Sequence, residues 1–320
     1  MRTGVFLKGK GTGVLVGGLR GGVPGPSSQK NKSIQEARAL NNQEKHDLKR
    51  FALEIRIALL EELKARGFGH IGGSLSICDL LAVLYGKVMN YKPDDPKWAD
   101  RDKLVSSKGH AGPAIYATLA LKGFFPIEDL KTLNRPGTNL PSHCDKNKTI
   151  GIDCTTGSLG QGTSQAVGMA LGDKLKGRSC RTFLIVGDGE IDEGQCWEAA
   201  MFTAGKKVTN LVWIVDENKR QLDGTTDAVM PLFDLRAKFE AFGFDAVRVK
   251  GDDIEGLYEA LTKEPADKPI AIILDSVKGR GVKAVEETAA NHSMTVSAET
   301  WDSYIAAVKA DLEALDKEVV

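Results

Sequence analysis

The sequence has no surplus charge of either sign, with 43 Lys and Arg against 43 Asp and Glu in 320 residues. That balance argues against a general affinity for nucleic acid or anionic membrane, because both need an excess of Lys and Arg. No apolar run approaches the roughly 18–20 residues that a membrane-spanning helix needs. The five cysteines (Cys78, Cys144, Cys154, Cys180 and Cys196) form no CxxC pair and leave one over. They read as reduced thiols of a cytoplasmic protein, not as a disulfide or zinc framework. Internal repeats and long linkers are also missing, so a single large domain is the economical division. Glycine alone is in excess: 35 residues, above the usual share of about 7%.

Part of that glycine lies at the start of the chain. The first 35 residues hold nine glycines and six basic residues, with no acidic residue before Glu36. The stretch Gly13–Leu19 is too short and too rich in glycine for a secretory core. A G-x-G-x-G string at Gly9, Gly11 and Gly13 follows no apolar strand and opens no helical pattern, so it is not read as a nucleotide loop. Residues 1–35 read as a flexible basic tail, and residues 36–320 as the folded domain.

From residue 45 to 66, Leu48, Phe51, Ile55, Leu59 and Leu63 recur at steps of three and four, which predicts an amphipathic helix. The glycine-rich segment 67–73 breaks it, and Ser74 is placed to cap a second helix reaching about Asn90. Residues 91–102 read as a surface loop. Helices follow near 111–123 and 127–134, then an irregular stretch to Ser158. Beyond it, helices at 161–176, 195–206, 233–242 and 253–263 alternate with strands at 182–186, 211–215, 244–249 and 270–277. Ser297 starts a last amphipathic helix. Short apolar runs alternating with helices predict an α/β fold, a parallel sheet with helices on both faces.

Ligands of such sheets bind outside the carboxyl ends of the strands. The first of these strands runs into Gly187-Asp188-Gly189-Glu190, and the second into Asp216-Glu217-Asn218. Asp188 and Asn218 offer hard oxygen ligands, which suit Mg²⁺ or Ca²⁺ and not zinc. Gly187 and Gly189 leave room for a phosphate to approach the backbone. Glu193 stands at the start of the next helix. Gly-Asp-Gly alone is a common turn sequence; the pairing with Asn218 thirty residues later distinguishes it.

The string Gly187–Gly194, together with Asp216–Gly224, resembles the thiamine-diphosphate motif of the transketolase family. Ser107-Lys-Gly-His110-Ala-Gly-Pro-Ala, Thr155-Thr-Gly-Ser-Leu-Gly-Gln-Gly162, Val277-Lys-Gly-Arg-Gly-Val282 and Gly69-His70-Ile-Gly-Gly-Ser74 are similar to further segments of that family, in order. The resemblance runs from about residue 45 to 292. It implies a thiamine-diphosphate-binding fold and a divalent metal held by Asp188, Asn218 and the main-chain carbonyl of Arg220. Position 220 is usually apolar in the family, a change that a carbonyl ligand survives. By the same resemblance His110, Gly157, Ser158, Leu159, Gly189 and Asn218 contact the cofactor. Glu193 matches a carboxylate that helps organise the subunit contact around it. His70 and His292 match histidines at the reacting end of the sugar, and His143 one that binds a ketose hydroxyl. His46 has no such match and reads as structural. His143 lies in Pro-Ser-His-Cys-Asp and His292 in Asn-His-Ser-Met, where the family more often shows Gly-His-Pro and Trp-His-Gly. Both departures surround the substrate end of the site.

The implied reaction is transfer of a two-carbon ketol unit from a ketose or ketose phosphate to an aldose, with imidazoles of near-neutral pKa moving protons. In that family a second domain holds the aminopyrimidine of the cofactor, and no segment here matches it. The chain is therefore expected to act as the N-terminal subunit of a split transketolase. A separate C-terminal subunit would carry the pyrimidine-binding domain, in an α2β2 assembly. Two rivals remain on sequence alone. One is the diphosphate-binding subunit of a 2-oxoacid dehydrogenase or deoxyxylulose-phosphate synthase, and the other a non-catalytic regulatory subunit of the same fold.

Overall fold

A computed structural model describes residues 39–318. The tail expected over residues 1–35 lies outside the described residues, as does the start of the domain expected at residue 36.

The helix Asn42–Arg66 shows how closely local sequence and fold agree. Asn41 and Glu44 form a reciprocal cap: the Asn41 side chain accepts from the Glu44 amide at 2.8 Å, and the Glu44 carboxylate accepts from the Asn41 amide at 2.9 Å. Leu48, Phe51, Ile55, Leu59 and Leu63 form its buried stripe. Gly67 ends it at φ +90°, a left-handed conformation in which its amide reaches the Leu63 carbonyl at 2.8 Å. The chain then leaves toward His70.

Seven strands are described: β1 (Phe68–Gly69), β2 (Lys103–Ser106), β3 (Thr182–Gly187), β4 (Leu211–Glu217), β5 (Asp245–Lys250), β6 (Ile270–Asp275) and β7 (Met294–Thr295). Five form one parallel sheet in the order β2-β3-β4-β6-β5. Alternate residues of each central strand feed opposite faces. Phe183, Ile185, Val212, Ile214, Ile270 and Ile272 join one core, with the helices Asn42–Arg66, Gly112–Leu121 and Ala298–Leu315. Leu184, Val186, Trp213, Val215, Ala271 and Ile273 join the other, with Gln161–Leu175, Gly194–Gly205 and Leu235–Ala241. Both faces are covered, which explains why the strands read as unbroken apolar runs.

The strands and helices expected after residue 158 all occur. Before it the structure differs at four points. Lys103–Ser106 is an edge strand; with only Leu104 and Val105 as its apolar residues, between Lys103 and Ser106, it is too short to show a pattern. Ser74 caps nothing: it lies inside the short helix Gly72–Leu75, and its hydroxyl donates to the His70 carbonyl at 2.7 Å. The segment that continues from it is not one helix but Gly72–Leu75, Cys78–Val83 and a π turn, Leu84–Val88. The helix expected at 127–134 is a 3₁₀ stretch, Ile127–Thr132, opened by Pro126.

No helix among the described residues is long and apolar enough to cross a membrane. The five cysteines are buried and unpaired.

Candidate active site

The carboxyl ends of β2, β3, β4 and β6 converge on one cavity of about 360 Å³. Its walls carry His70, His110, His143 and His292 with Gly157, Leu159, Asp188, Gly189, Asn218 and Arg220. Ten of the twelve residues singled out in the sequence thus meet at one place. Ser158 and Glu193 do not line the cavity and are exposed. Glu193 holds the N-cap position of the helix Gly194–Gly205 without a side-chain cap bond; a Cβ at Gly160 would stand 3.0 Å from the Glu193 Cβ.

The imidazoles come together through two pairings remote in sequence. Phe68 and Gly69 of β1 pair with Thr295 and Met294 of β7, which sets His70 beside His292. Their ring centroids lie 5.3 Å apart, and His292 is 4.7 Å from His110. His143 is 5.4 Å from His70. Gly72 must be glycine here, because a Cβ would meet the Asn291 carbonyl oxygen at 2.3 Å and Lys278 Cγ at 2.9 Å. Its amide donates to that same carbonyl at 3.0 Å.

Burial, the His143 ring and the Lys278 ammonium push His70 down to about 4. Burial, Lys278 and His70 push His292 to about 4 as well. Burial and Lys108 drive His110 well below its ordinary value, and burial lowers His143. The near-neutral imidazoles expected from sequence are therefore not those of this chain by itself. At neutral pH they are uncharged, each with one acceptor ring nitrogen, which in His292 is Nδ1, already facing the Lys278 ammonium at 3.3 Å. A diphosphate bound beside them would favour their protonated forms and move these values back up.

At the other end of the cavity, Asp188 accepts from the amides of Gly189, at 2.8 Å, and Lys219. Lys219 stands at φ +67°, the left-handed conformation that aims its amide at the carboxylate. Burial first, then Asp216, raises Asp188 to about 7. Asn218 Nδ2 donates to Asp216 at 2.8 Å, and its Oδ1 accepts from the Arg220 amide at 3.2 Å. The Arg220 carbonyl accepts from Lys278 Nζ at 3.1 Å. A carboxylate held part-protonated by burial, an amide oxygen and a carbonyl form an oxygen-only donor set. It fits Mg²⁺ or Ca²⁺, provided that phosphate oxygens and water complete the shell. Among the described residues no cluster of three His, Cys, Asp or Glu could hold a metal. A Cβ at Gly189 would press on the Gln221 side chain at 3.0 Å, so the turn packs against Gln221 most closely as glycine.

Four charged residues were not singled out in the sequence, yet they build the site. Lys108 and Asp216 are buried together, Nζ to Oδ2 2.5 Å, and Asp216 also accepts from Ser76 at 2.7 Å and Ser276 at 2.6 Å. Through Asn218 this hub orients the expected metal ligand. Glu190, also buried, accepts from the Ser107 hydroxyl and from the amides of Gly160 at 2.8 Å and Gly187 at 3.0 Å. It ties three turns together. Lys278 contacts the Arg220 carbonyl and His292 Nδ1, at 3.3 Å. Burial first, then Lys108, lowers it to about 8, with Asp188 opposing. It stays largely protonated at neutral pH and faces the place where the diphosphate is expected. Lys108 and Lys278 both lay within the matched segments, which was the available signal.

Residues 48–312 match the family described as transketolase, thiamine diphosphate binding domain. The chain is 48% identical to the 6-deoxy-6-sulfo-D-fructose transketolase subunit SqwG of Clostridium sp. (strain MSTE9), over 83% of this chain and 97% of that one. It is 38% identical to an apulose-4-phosphate transketolase subunit of Phocaeicola vulgatus, over 82% of this chain and 94% of that one. Among solved structures, the transketolase from Leishmania mexicana superposes with a TM-score of 0.73 at 27% identity, covering 84% of this chain. The chain spans only 46% of that enzyme, against nearly the whole of the two subunits. The chain belongs to the transketolase family and corresponds to its thiamine-diphosphate-binding, N-terminal subunit.

Proposed function

We propose that this chain is the cofactor-diphosphate subunit of a cytoplasmic two-chain transketolase. In it, Asp188, Asn218 and the Arg220 carbonyl hold Mg²⁺ (or Ca²⁺). A separate C-terminal subunit supplies the pyrimidine-binding domain, in an α2β2 assembly. The observation that carries this reading is the meeting of four uncharged imidazoles with the Asp188–Asn218 pair in one cavity. When bound there, thiamine diphosphate would supply the electron sink for breaking and making the ketose carbon–carbon bond.

The chain's own residues would do the rest. Lys278 and the metal offset the charge of the diphosphate, with His110 and the Gly157–Leu159 turn against the cofactor. His70 and His143 accept hydrogen bonds from sugar hydroxyls, His292 presents its Nε2–H to the sugar, and the three move the proton released when the bond breaks. Glu193, exposed at a helix start, contributes to the subunit contact. The substrates are a ketose donor and an aldose acceptor. The two relatives are named for a sulfonated and a phosphorylated sugar, and an acidic ketose is proposed here too.

A 2-oxoacid enzyme has no need of this hydroxyl-binding histidine set. With both subunits, thiamine diphosphate and Mg²⁺ present, ketol transfer from ketose phosphates or sulfoketoses should be measurable and pyruvate should be inert. Turnover of pyruvate with none of ketoses would overturn the assignment.

A further inference from the structure

The metal site proposed above uses only the carbonyl of Arg220, yet its side chain is also engaged. Nη1 donates to the Thr288 carbonyl at 2.9 Å and reaches that of Ala289 at 3.5 Å. Among the described residues no other group donates to either carbonyl. Arg56 and Arg101 are each matched to a carboxylate, Asp79 and Asp153. Arg220 pairs with no carboxylate among the described residues, and its guanidinium is turned to main-chain oxygens instead. Thr288 lies just past the short helix Lys283–Glu286, and His292 comes four residues later, just before β7.

Residues 287–293 belong to no helix or strand, so single hydrogen bonds decide where they lie. Asn291 fixes the half next to His292: its side chain donates to the carbonyls of Lys278 at 3.0 Å and Val285 at 2.9 Å, and its own carbonyl accepts from the Gly72 amide at 3.0 Å. The half at Thr288 and Ala289 is joined to residues 218–221 through the Arg220 guanidinium. Those residues make a firm base, since the Arg220 amide donates to Asn218 Oδ1 at 3.2 Å and the Gln221 amide to the Gly224 carbonyl at 2.8 Å. Residue 220 therefore reaches His292 by two routes. Its carbonyl accepts from Lys278, which faces the ring at Nδ1, and its side chain holds the main chain that leads to the ring. Position 220 and the surroundings of His292 are both places where the sequence departs from the family pattern, and the structure puts them in contact. An apolar side chain has no donor to offer a carbonyl, whereas a guanidinium has five.

We propose that the Arg220 side chain is a positioning residue: by tying the Thr288 and Ala289 carbonyls to the loop of the expected metal ligands, it fixes the segment that presents His292 to the sugar. This rests on the ketol-transfer reading, which gives His292 its task. The guanidinium acts through His292 and binds neither sugar nor diphosphate.

The test uses the complete two-subunit enzyme and Arg220→Met, which keeps the carbonyl and an unbranched stem but has no donor. The kcat of ketol transfer should fall about 10-fold, the low end of what a hydrogen bond from a charged group is worth. The KM of the donor and the affinity for thiamine diphosphate with Mg²⁺ should stay within about 3-fold. In a His292→Ala background the same substitution should change kcat by less than about 2-fold, because the group it positions is gone. A tenfold loss that persists without His292, or a loss confined to cofactor affinity, would overturn the proposal. Arg220→Lys keeps a cationic donor and should recover part of the loss; a lysine no better than methionine would overturn it too. If the wild-type complex moves no ketose at all, the ketol-transfer reading fails, and amide hydrogen exchange in the full chain decides the anchor by itself. In Arg220→Met the Thr288 and Gly72 amides, which donate to Val285 and Asn291, should exchange at least about 5-fold faster, with residues 48–63 unchanged. Equal exchange at Thr288 and Gly72 in both proteins would overturn it.

Discussion

The buried pair Lys108–Asp216 offers the most quantitative test of how the site is held. Lys108 is 1% exposed and Asp216 0%. In Lys108→Met the Asp216 carboxylate keeps only neutral donors: Ser76, Ser276 and Asn218. Breaking such a pair from one side costs about 3–5 kcal/mol. Three remaining hydrogen bonds place the expectation at the lower end, about 3 kcal/mol at pH 7. Burial works to raise the Asp216 pKa, but Lys108 outweighs it and holds the carboxyl below its ordinary value. In the wild type this group therefore adds stability above the pKa of the unfolded chain, and that stability is lost as pH falls through the lower folded pKa. Without Lys108 the sign reverses: the folded state binds the proton more tightly than the unfolded one. The penalty of Lys108→Met should then shrink between pH 7 and pH 5. Asp216→Asn alone should also destabilise, by leaving an ammonium buried with the Gly73 carbonyl and Ser76 as its partners. The double variant should recover most of the loss, giving a coupling of about 3 kcal/mol in urea unfolding. Costs that add to within about 0.5 kcal/mol would refute the pairing argument.

Three further outcomes are expected. Gly72→Ala forces a methyl against the Asn291 carbonyl and Lys278, and should cost about 1–3 kcal/mol by thermal or urea unfolding; it should also weaken cofactor binding, and a neutral substitution would show that the segment gives way. The His70 and His292 imidazoles should titrate near pH 4 by NMR in the chain without cofactor. Because their folded pKa values lie below the unfolded one, stability should rise with pH from about 4 to about 6.5 and level off above it; midpoints near 6.5 would contradict this. Asp188→Asn relieves a carboxylate that burial and Asp216 have raised to about 7, so it should leave the unfolding temperature of the free chain nearly unchanged or higher. It should nonetheless abolish the stabilisation produced by thiamine diphosphate with Mg²⁺, a pairing of effects that a purely structural Asp188 would not produce.

Much of the fold was legible because the core strands are buried on both faces and the helices carry apolar stripes. Phe183–Val186 and Leu211–Val215 announce themselves as short unbroken runs, and Ser297 as the cap of the last helix. β2 did not, because four residues at a sheet edge are too few to set a period. The segment after Gly72 was misread for a related reason: it is buried from Ile71 to Tyr85, with Ser74, Ser76 and Asp79 included, so no stripe marked where one short helix ends and the next begins. In the site, Asp188, His70 and His110 were legible because glycines frame them and Asn218 because it follows a strand, whereas His143 and His292 followed only from the family resemblance. Glu190, Asp216, Lys108 and Lys278 were not. A charged residue buried with its partner has the same letter as one in water, and only the fold shows Ser107, Gly160 and Gly187 gathered around Glu190.

The divided active site is put to the test by mixing the two chains. With thiamine diphosphate, Mg²⁺, an acidic ketose donor and an aldose acceptor, neither chain alone should transfer a ketol unit. Activity should climb with added partner and saturate at one partner per chain. Turnover by this chain alone, or an inert mixture that binds cofactor normally, would contradict it.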